Sequence, residues 1–194
     1  MIPVSTIQGI LPPFTSGDPT SPDNMSPYRA TMKEFVERFG TSPERYEIIW
    51  GLLSYRADLM ACGLTGLQWL GGSFVEDVES IRGRPPKDVD VVSVINRPID
   101  IKSDEKWIEF LDSEHGALLT DSEAMKDAFH CDAYAIDMNE PSIDIVNSTR
   151  FWLGLFSHQR ITSAWKGMVV VALDAQQDEE ARSIMPALAT LVTV

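Results

Sequence analysis

The chain has 194 residues, of which 44% are hydrophobic and 23% charged, and a formal net charge of −13. That length suits one domain, or one domain with an arm, and that balance excludes disorder as the main state. No apolar run reaches the roughly eighteen residues of a membrane helix, and no basic segment precedes the apolar residues at the start, so neither a membrane span nor a secretory signal is expected and the cytoplasm is the predicted location. Two cysteines, Cys62 and Cys131, are too few for a disulfide framework and read as buried thiols.

The charge is unevenly spread. Residues 100–144 hold 3 Lys/Arg against 13 Asp/Glu, which is −10 of the total. So acidic a belt repels phosphate backbones and disfavours a broad nucleic-acid-binding face. Its simplest reading is a solvated surface; the sharper one is a docking surface for a basic partner.

Residues 1–27 carry prolines at 3, 12, 13, 19, 22 and 27, which bars regular helix and central strand and predicts an arm laid over the domain or a loose tail. The domain proper is expected over 28–194. A short helix is predicted from Ser26-Pro27 to Phe39, with Met32, Phe35, Val36 and Phe39 on one face. Ser42-Pro43 opens a longer helix whose stripe is Ile48, Ile49, Leu52, Leu53, Leu59 and Met60, with Gly63 as its stop. Residues 64–70 read as a strand running into Gly71-Gly72-Ser73, and 76–87 as a polar loop. Residues 88–95 alternate as a strand, with Asp88, Asp90, Val92 and Val94 on one face. Short helices are predicted at 106–111 and 122–129, the second with a capping box from Thr120 and Glu123. A strand over 130–138, a helix over 142–156 and a strand over 167–173 follow, and the last twenty residues carry weak signals. Strands alternating with helices predict an α/β (α+β) fold, a small mixed β-sheet flanked by helices.

Two features carry chemistry together. Asp88 and Asp90, one residue apart on a strand, point to the same face, where two carboxylates repel unless a cation sits between them. Oxygen donors of this kind suit Mg²⁺ that also holds substrate phosphates. The Gly71-Gly72-Ser73 turn on the preceding strand supplies the complement, backbone that can approach a phosphate and a hydroxyl that can donate to it. The alternatives are a solvated strand end for the aspartates and a plain turn residue for Ser73.

Helix, then Leu70-Gly71-Gly72-Ser73, then Asp88-Val89-Asp90-Val91 resembles the core of the nucleotidyltransferase fold shared by polymerase beta, kanamycin nucleotidyltransferase and the minimal nucleotidyltransferases of bacterial toxin–antitoxin and phage-defence loci. The resemblance spans residues 43–138. The arm, Gly72-Ser73-Phe74 and the run Phe151-Trp152-Leu153-Gly154-Leu155-Phe156-Ser157-His158 also look like an uncharacterised bacterial group of that superfamily. The 14 residues between Ser73 and Asp88 make a longer loop than in the minimal members. A nucleotidyltransferase fold is therefore the expectation, with nucleotidyl transfer from a nucleoside triphosphate such as ATP to a protein or RNA acceptor. The resemblance implies Mg²⁺ or Mn²⁺ held by Asp88, Asp90 and a third carboxylate on a later strand. Asp132 and Asp137 are five apart and face opposite sides, so at most one can join; Asp132 is favoured and Asp137 is the alternative. Gly72 and Ser73 would hold the terminal phosphates. Arg160 and Lys166, with His158, could reach the triphosphate, or else complement a helix C-terminus. Phe151, Trp152, Leu155 and Phe156 read as core ahead of a base-stacking platform. Two other functions stay open: a catalytically silent, antitoxin-like interaction module of the same fold, and an aminoglycoside-type nucleotidyltransferase.

Overall fold

The computed structural model describes residues 1–192 apart from 19 and 161; Pro19 of the arm therefore lies outside the described residues. In chain order it contains β1 (Tyr28–Arg29), α1 (Met32–Phe39), α2 (Pro43–Ala61), β2 (Thr65–Gly71), α3 (Val78–Arg82), β3 (Val89–Asn96), α4 (Asp104–Leu111), α5 (Ala117–Thr120), α6 (Ser122–Phe129), β4 (Cys131–Asp137), α7 (Ser142–Phe156), β5 (Val169–Ala172) and α8 (Ala175–Val192). The fold is α+β. Its five-stranded mixed sheet has the order β1-β5-β2-β3-β4, with β2 antiparallel to both β3 and β5, and with β3–β4 and β1–β5 parallel.

One face of the sheet carries the main core. Met32, Phe35, Val36 and Phe39 of α1 and Ile48, Ile49, Leu52, Leu53 and Leu59 of α2 are buried there, as their helical spacing requires, against Leu70, Val89, Val91 and Ile95 of the strands. The other face is covered by α7, whose Phe156 is buried with Val92, Ile136 and Met168 and whose Trp152 packs against that group. Two arginines of α2 are buried as well. Arg56 is 0% exposed and lies 2.8 Å from Asp178 of α8, which ties the C-terminal helix to the sheet. Among the described residues no helix is long and apolar enough to cross a membrane.

Several boundaries differ from expectation for local reasons. The predicted helix over 26–39 starts only at Met32. Thr31 and Glu34 form a capping box there, and Tyr28 and Arg29 pair with β5 instead. The polar loop over 76–87 contains α3, capped by Asp77 and closed by Gly83 in the left-handed region. Thr120 does not cap α6, because its hydroxyl donates back to the carbonyl of Gly116, the residue before α5. Asp121 takes the cap, accepting from the Ala124 amide at 2.9 Å. The C-terminal stretch with weak signals forms α8, whose start is fixed by Asp174 accepting from the Gln176 and Gln177 amides. The arm lies across the domain: Ile10 and Leu11 are buried, and its carbonyls accept from the Asp77 and Gly167 amides.

Candidate active site

The sheet register assembles the site. Gly71 at the end of β2 is paired with Asp90 near the start of β3, and Asp90 is paired with Asp132 near the start of β4. Asp88, Asp90 and Asp132 share strand parity with Val92 and Ile136, so they project from the α7 face at one end of the sheet. With Gly72 and Ser73 they line a cleft of about 340 Å³, roofed by Leu155 and Phe156 of α7. Arg160 and Lys166 also line it, so every favoured site residue meets there. Asp137 does not. It sits at the opposite end of β4, where its carboxylate accepts from Arg97 at 2.7 Å, and the alternative third carboxylate is excluded by distance along the strand.

The turn at the cleft floor has little freedom. Gly72 has φ +72° and is pressed against Asp90: a Cβ there would lie 1.6 Å from Asp90 Oδ2, a contact no other residue could make without moving the carboxylate. Residues 72–75 form a 3-10 turn. The turn and the residue after it are gripped by Arg45 of α2, which donates to Phe74 O at 2.6 Å and Glu76 O at 2.7 Å while pairing with Glu79 at 2.7 Å. Beneath the turn Glu76, its side chain 2% exposed, accepts from Lys166 Nζ at 2.6 Å, Gln159 Nε2 at 3.0 Å and Arg82 Nη2 at 3.3 Å. Lys166 also donates to Gly72 O at 3.0 Å. Its ammonium thus holds the 72–76 turn to the segment before β5 through two buried contacts, which makes it a positioning group.

The carboxylates feel one another. Burial, reinforced by the charges of Asp132 and Asp88 and opposed by those of Lys166 and Arg160, pushes the Asp90 carboxyl up to about 6. Between Asp88 and Asp132 lies Lys126 of α6, its ammonium 3.1 Å from an oxygen of each. Burial works to lower that ammonium's proton affinity, but the hydrogen bonds to both carboxylates win and raise it above the ordinary lysine range. As the side chains stand, no three His, Cys, Asp or Glu groups among the described residues are gathered to hold a metal ion. The donor chemistry nevertheless fits a hard divalent cation: three carboxylates on one face, with a cation already drawn between two of them.

Lys126, Glu76, Arg82 and Arg45 were invisible to sequence reasoning. Each acts through a partner on another element, and none belongs to a spaced motif. The aromatic helix splits: Phe156 is buried and Trp152 stacks on it, whereas Phe151 and Leu155 are 54% and 41% exposed. Within the acidic belt Asp132 and Asp137 are half-buried and the other eleven acids are exposed, which is the solvated face. A model of the DUF6932 family, a family of unknown function, matches residues 3–172. The chain matches no curated protein and no solved structure.

Proposed function

The chain belongs to the DUF6932 family, and we propose that it is a divalent-cation-dependent nucleotidyltransferase of the polymerase-beta-like superfamily. The observation that carries the reading is the convergence, by register of β2, β3 and β4, of Gly72-Ser73 with Asp88, Asp90 and Asp132 in one cleft.

In this reading Asp88, Asp90 and Asp132 hold Mg²⁺ or Mn²⁺. Bound there, such ions neutralise charge on the triphosphate and make the acceptor hydroxyl more acidic. The acceptor oxygen bonds to the α-phosphorus in line with the departing bridging oxygen, pyrophosphate leaves, and the acceptor's proton passes to Asp132. Gly72 and Ser73 receive the terminal phosphates on backbone N–H and hydroxyl. Arg160, lining the cleft from the segment after α7, meets their charge. Lys166, its ammonium committed to Gly72 O and Glu76, positions the turn and does not itself reach the triphosphate. The acceptor is a separate macromolecule. The exposed belt over 100–144 favours a protein as that macromolecule over a long RNA. A cytoplasmic toxin–antitoxin or phage-defence setting follows from the resemblance alone.

One observation favours the second reading, a catalytically silent module: Lys126 already satisfies Asp88 and Asp132. Thermal melts with each nucleoside triphosphate and Mg²⁺ separate the two. Stabilisation in the native chain that is lost in Asp88→Asn/Asp90→Asn supports transfer; stabilisation equal in the variant, or absent from both, supports the silent module. Label from an α-labelled triphosphate entering protein or RNA then identifies the acceptor class.

A further inference from the structure

We propose that Lys126 is a built-in counter-cation that occupies the gap between Asp88 and Asp132 until a divalent ion takes it, so that loading the site exchanges one cation for another. The inference rests on the nucleotidyltransferase reading to the extent that a divalent ion binds these carboxylates.

Three observations support it. The ammonium is 3.1 Å from an oxygen of both Asp88 and Asp132, two acids that otherwise repel each other. The side chain is 42% exposed and enters from α6 at the cleft edge, so it has a path out to solvent. The buried cations differ in this respect: Lys166 is 6% exposed and fixed to both Glu76 and Gly72 O. A lysine also suits the role chemically, since its compact charge sits on a flexible four-carbon stem and commits to no fixed fork geometry. With Lys126 between them, the carboxylates are not gathered for an ion; once it withdraws, Asp88, Asp90 and Asp132 have lost their counter-charge and need one.

Exchange predicts that removing the ammonium creates a vacancy that a metal fills more readily. Each of the two exposed-edge ion pairs opposes ion entry modestly, and together they weaken it about tenfold. Mn²⁺ titrations by electron paramagnetic resonance on the full chain test this. Lys126→Met is expected to bind Mn²⁺ about tenfold tighter than the native chain, by the same two pairs. Its melting temperature should also fall in EDTA and recover with Mn²⁺, a swing larger than the native chain shows. Equal or weaker binding by Lys126→Met, with the native chain binding, overturns the exchange and leaves the nucleotidyltransferase reading standing. Absence of Mn²⁺ binding from both proteins overturns the metal-dependent reading and the exchange together. A second measurement needs no variant: acetylation of the native chain, read by mass spectrometry, should label Lys126 several-fold faster with Mn²⁺ than in EDTA while Lys33 and Lys102 are unchanged. An unchanged Lys126 rate at saturating Mn²⁺ overturns the exchange.

Discussion

The tightest contact in the site makes its sharpest prediction. Gly72 has φ +72° and Gly83 has φ +62°, so alanine at either meets the same backbone penalty, about 1–2 kcal/mol. Their surroundings differ. A Cβ at Gly83 meets nothing within 4 Å, whereas one at Gly72 lies 1.6 Å from Asp90 Oδ2 and 2.6 Å from its Cγ. Gly72→Ala must therefore displace the Asp90 carboxylate from its half-buried seat, which adds about 1–3 kcal/mol of overpacking. At about 2–4 °C per kcal/mol for a chain of this size, Gly83→Ala should lower the melting temperature by about 2–8 °C, and Gly72→Ala by about 2–12 °C more. The carboxylate is the cause, so Asp90→Ala should relieve it: the double variant Gly72→Ala/Asp90→Ala is expected to be more stable than additivity predicts, by about 1–3 kcal/mol. Calorimetry of the native chain and the four variants is the assay. Gly72→Ala as stable as Gly83→Ala, or an additive double variant, would refute the claim that Asp90 is held against the turn.

Asp137 and Asp132 give a second contrast. Asp137→Asn, which weakens the pair with Arg97 far along β4, should leave Mn²⁺ and nucleotide binding unchanged, whereas Asp132→Asn should abolish both; loss of binding in Asp137→Asn would put the third carboxylate at the wrong end of the strand. Arg56→Met leaves Asp178 buried without its counter-charge, an expected cost of about 3–5 kcal/mol in urea denaturation, and Arg56→Met/Asp178→Leu should recover most of it. Hydrogen bonds from Arg45 hold the Glu79 carboxyl below its ordinary range, so this pair stabilises the fold above the unfolded carboxyl value of about 4.3 and ceases to do so as pH falls through the lower folded value. The melting-temperature difference between the native chain and Glu79→Gln should therefore be present at neutral pH and shrink in acid; a difference that grows in acid would show that Arg45 is not the cause.

What could be read from the sequence, and what could not, divides by range. Strand parity alone puts Asp88 and Asp90 on one face and sets Asp132 against Asp137, because period two is a local rule. The 142–156 helix is also legible, and its observed bounds are the expected ones. Caps decided by a single hydrogen bond were harder: Asp121 and Thr120 are adjacent, both good caps, and only the carbonyl of Gly116 diverts the second. The charges that shape the cleft were out of reach. Arg45 and Arg56 lie on the otherwise largely apolar buried face of α2, and their partners at 79 and 178 are 34 and 122 residues away. Lys126 reaches Asp132 only because α6 ends at His130 in the left-handed region and the chain doubles straight back into β4.

The net charge of −13 takes on a different meaning once these partners are known. Glu76, Asp88, Asp90 and Asp132 line the cleft together with Arg82, Lys126, Arg160 and Lys166, so the site itself is balanced while the excess of acid lies outside. Within that balance the charges are not equivalent. Glu76 is a buried acid whose pairs with Lys166 and Arg82 keep it tolerable; breaking them would leave an uncompensated charge, so these three are committed to the framework. The adjustable set is Asp88, Asp90 and Asp132 against Lys126 and Arg160. Beyond it, the exposed acids of residues 100–144 create a field that concentrates cations of any kind and repels polyanions. If the cleft takes a triphosphate as proposed, the free nucleotide would meet a surface that opposes it until a divalent ion accompanies it, and the belt would favour the metal-complexed form. Added monovalent salt screens that field, so it should weaken Mn²⁺ binding by the free protein while making free ATP a less poor ligand, opposite responses that a uniformly basic phosphate pocket would not give.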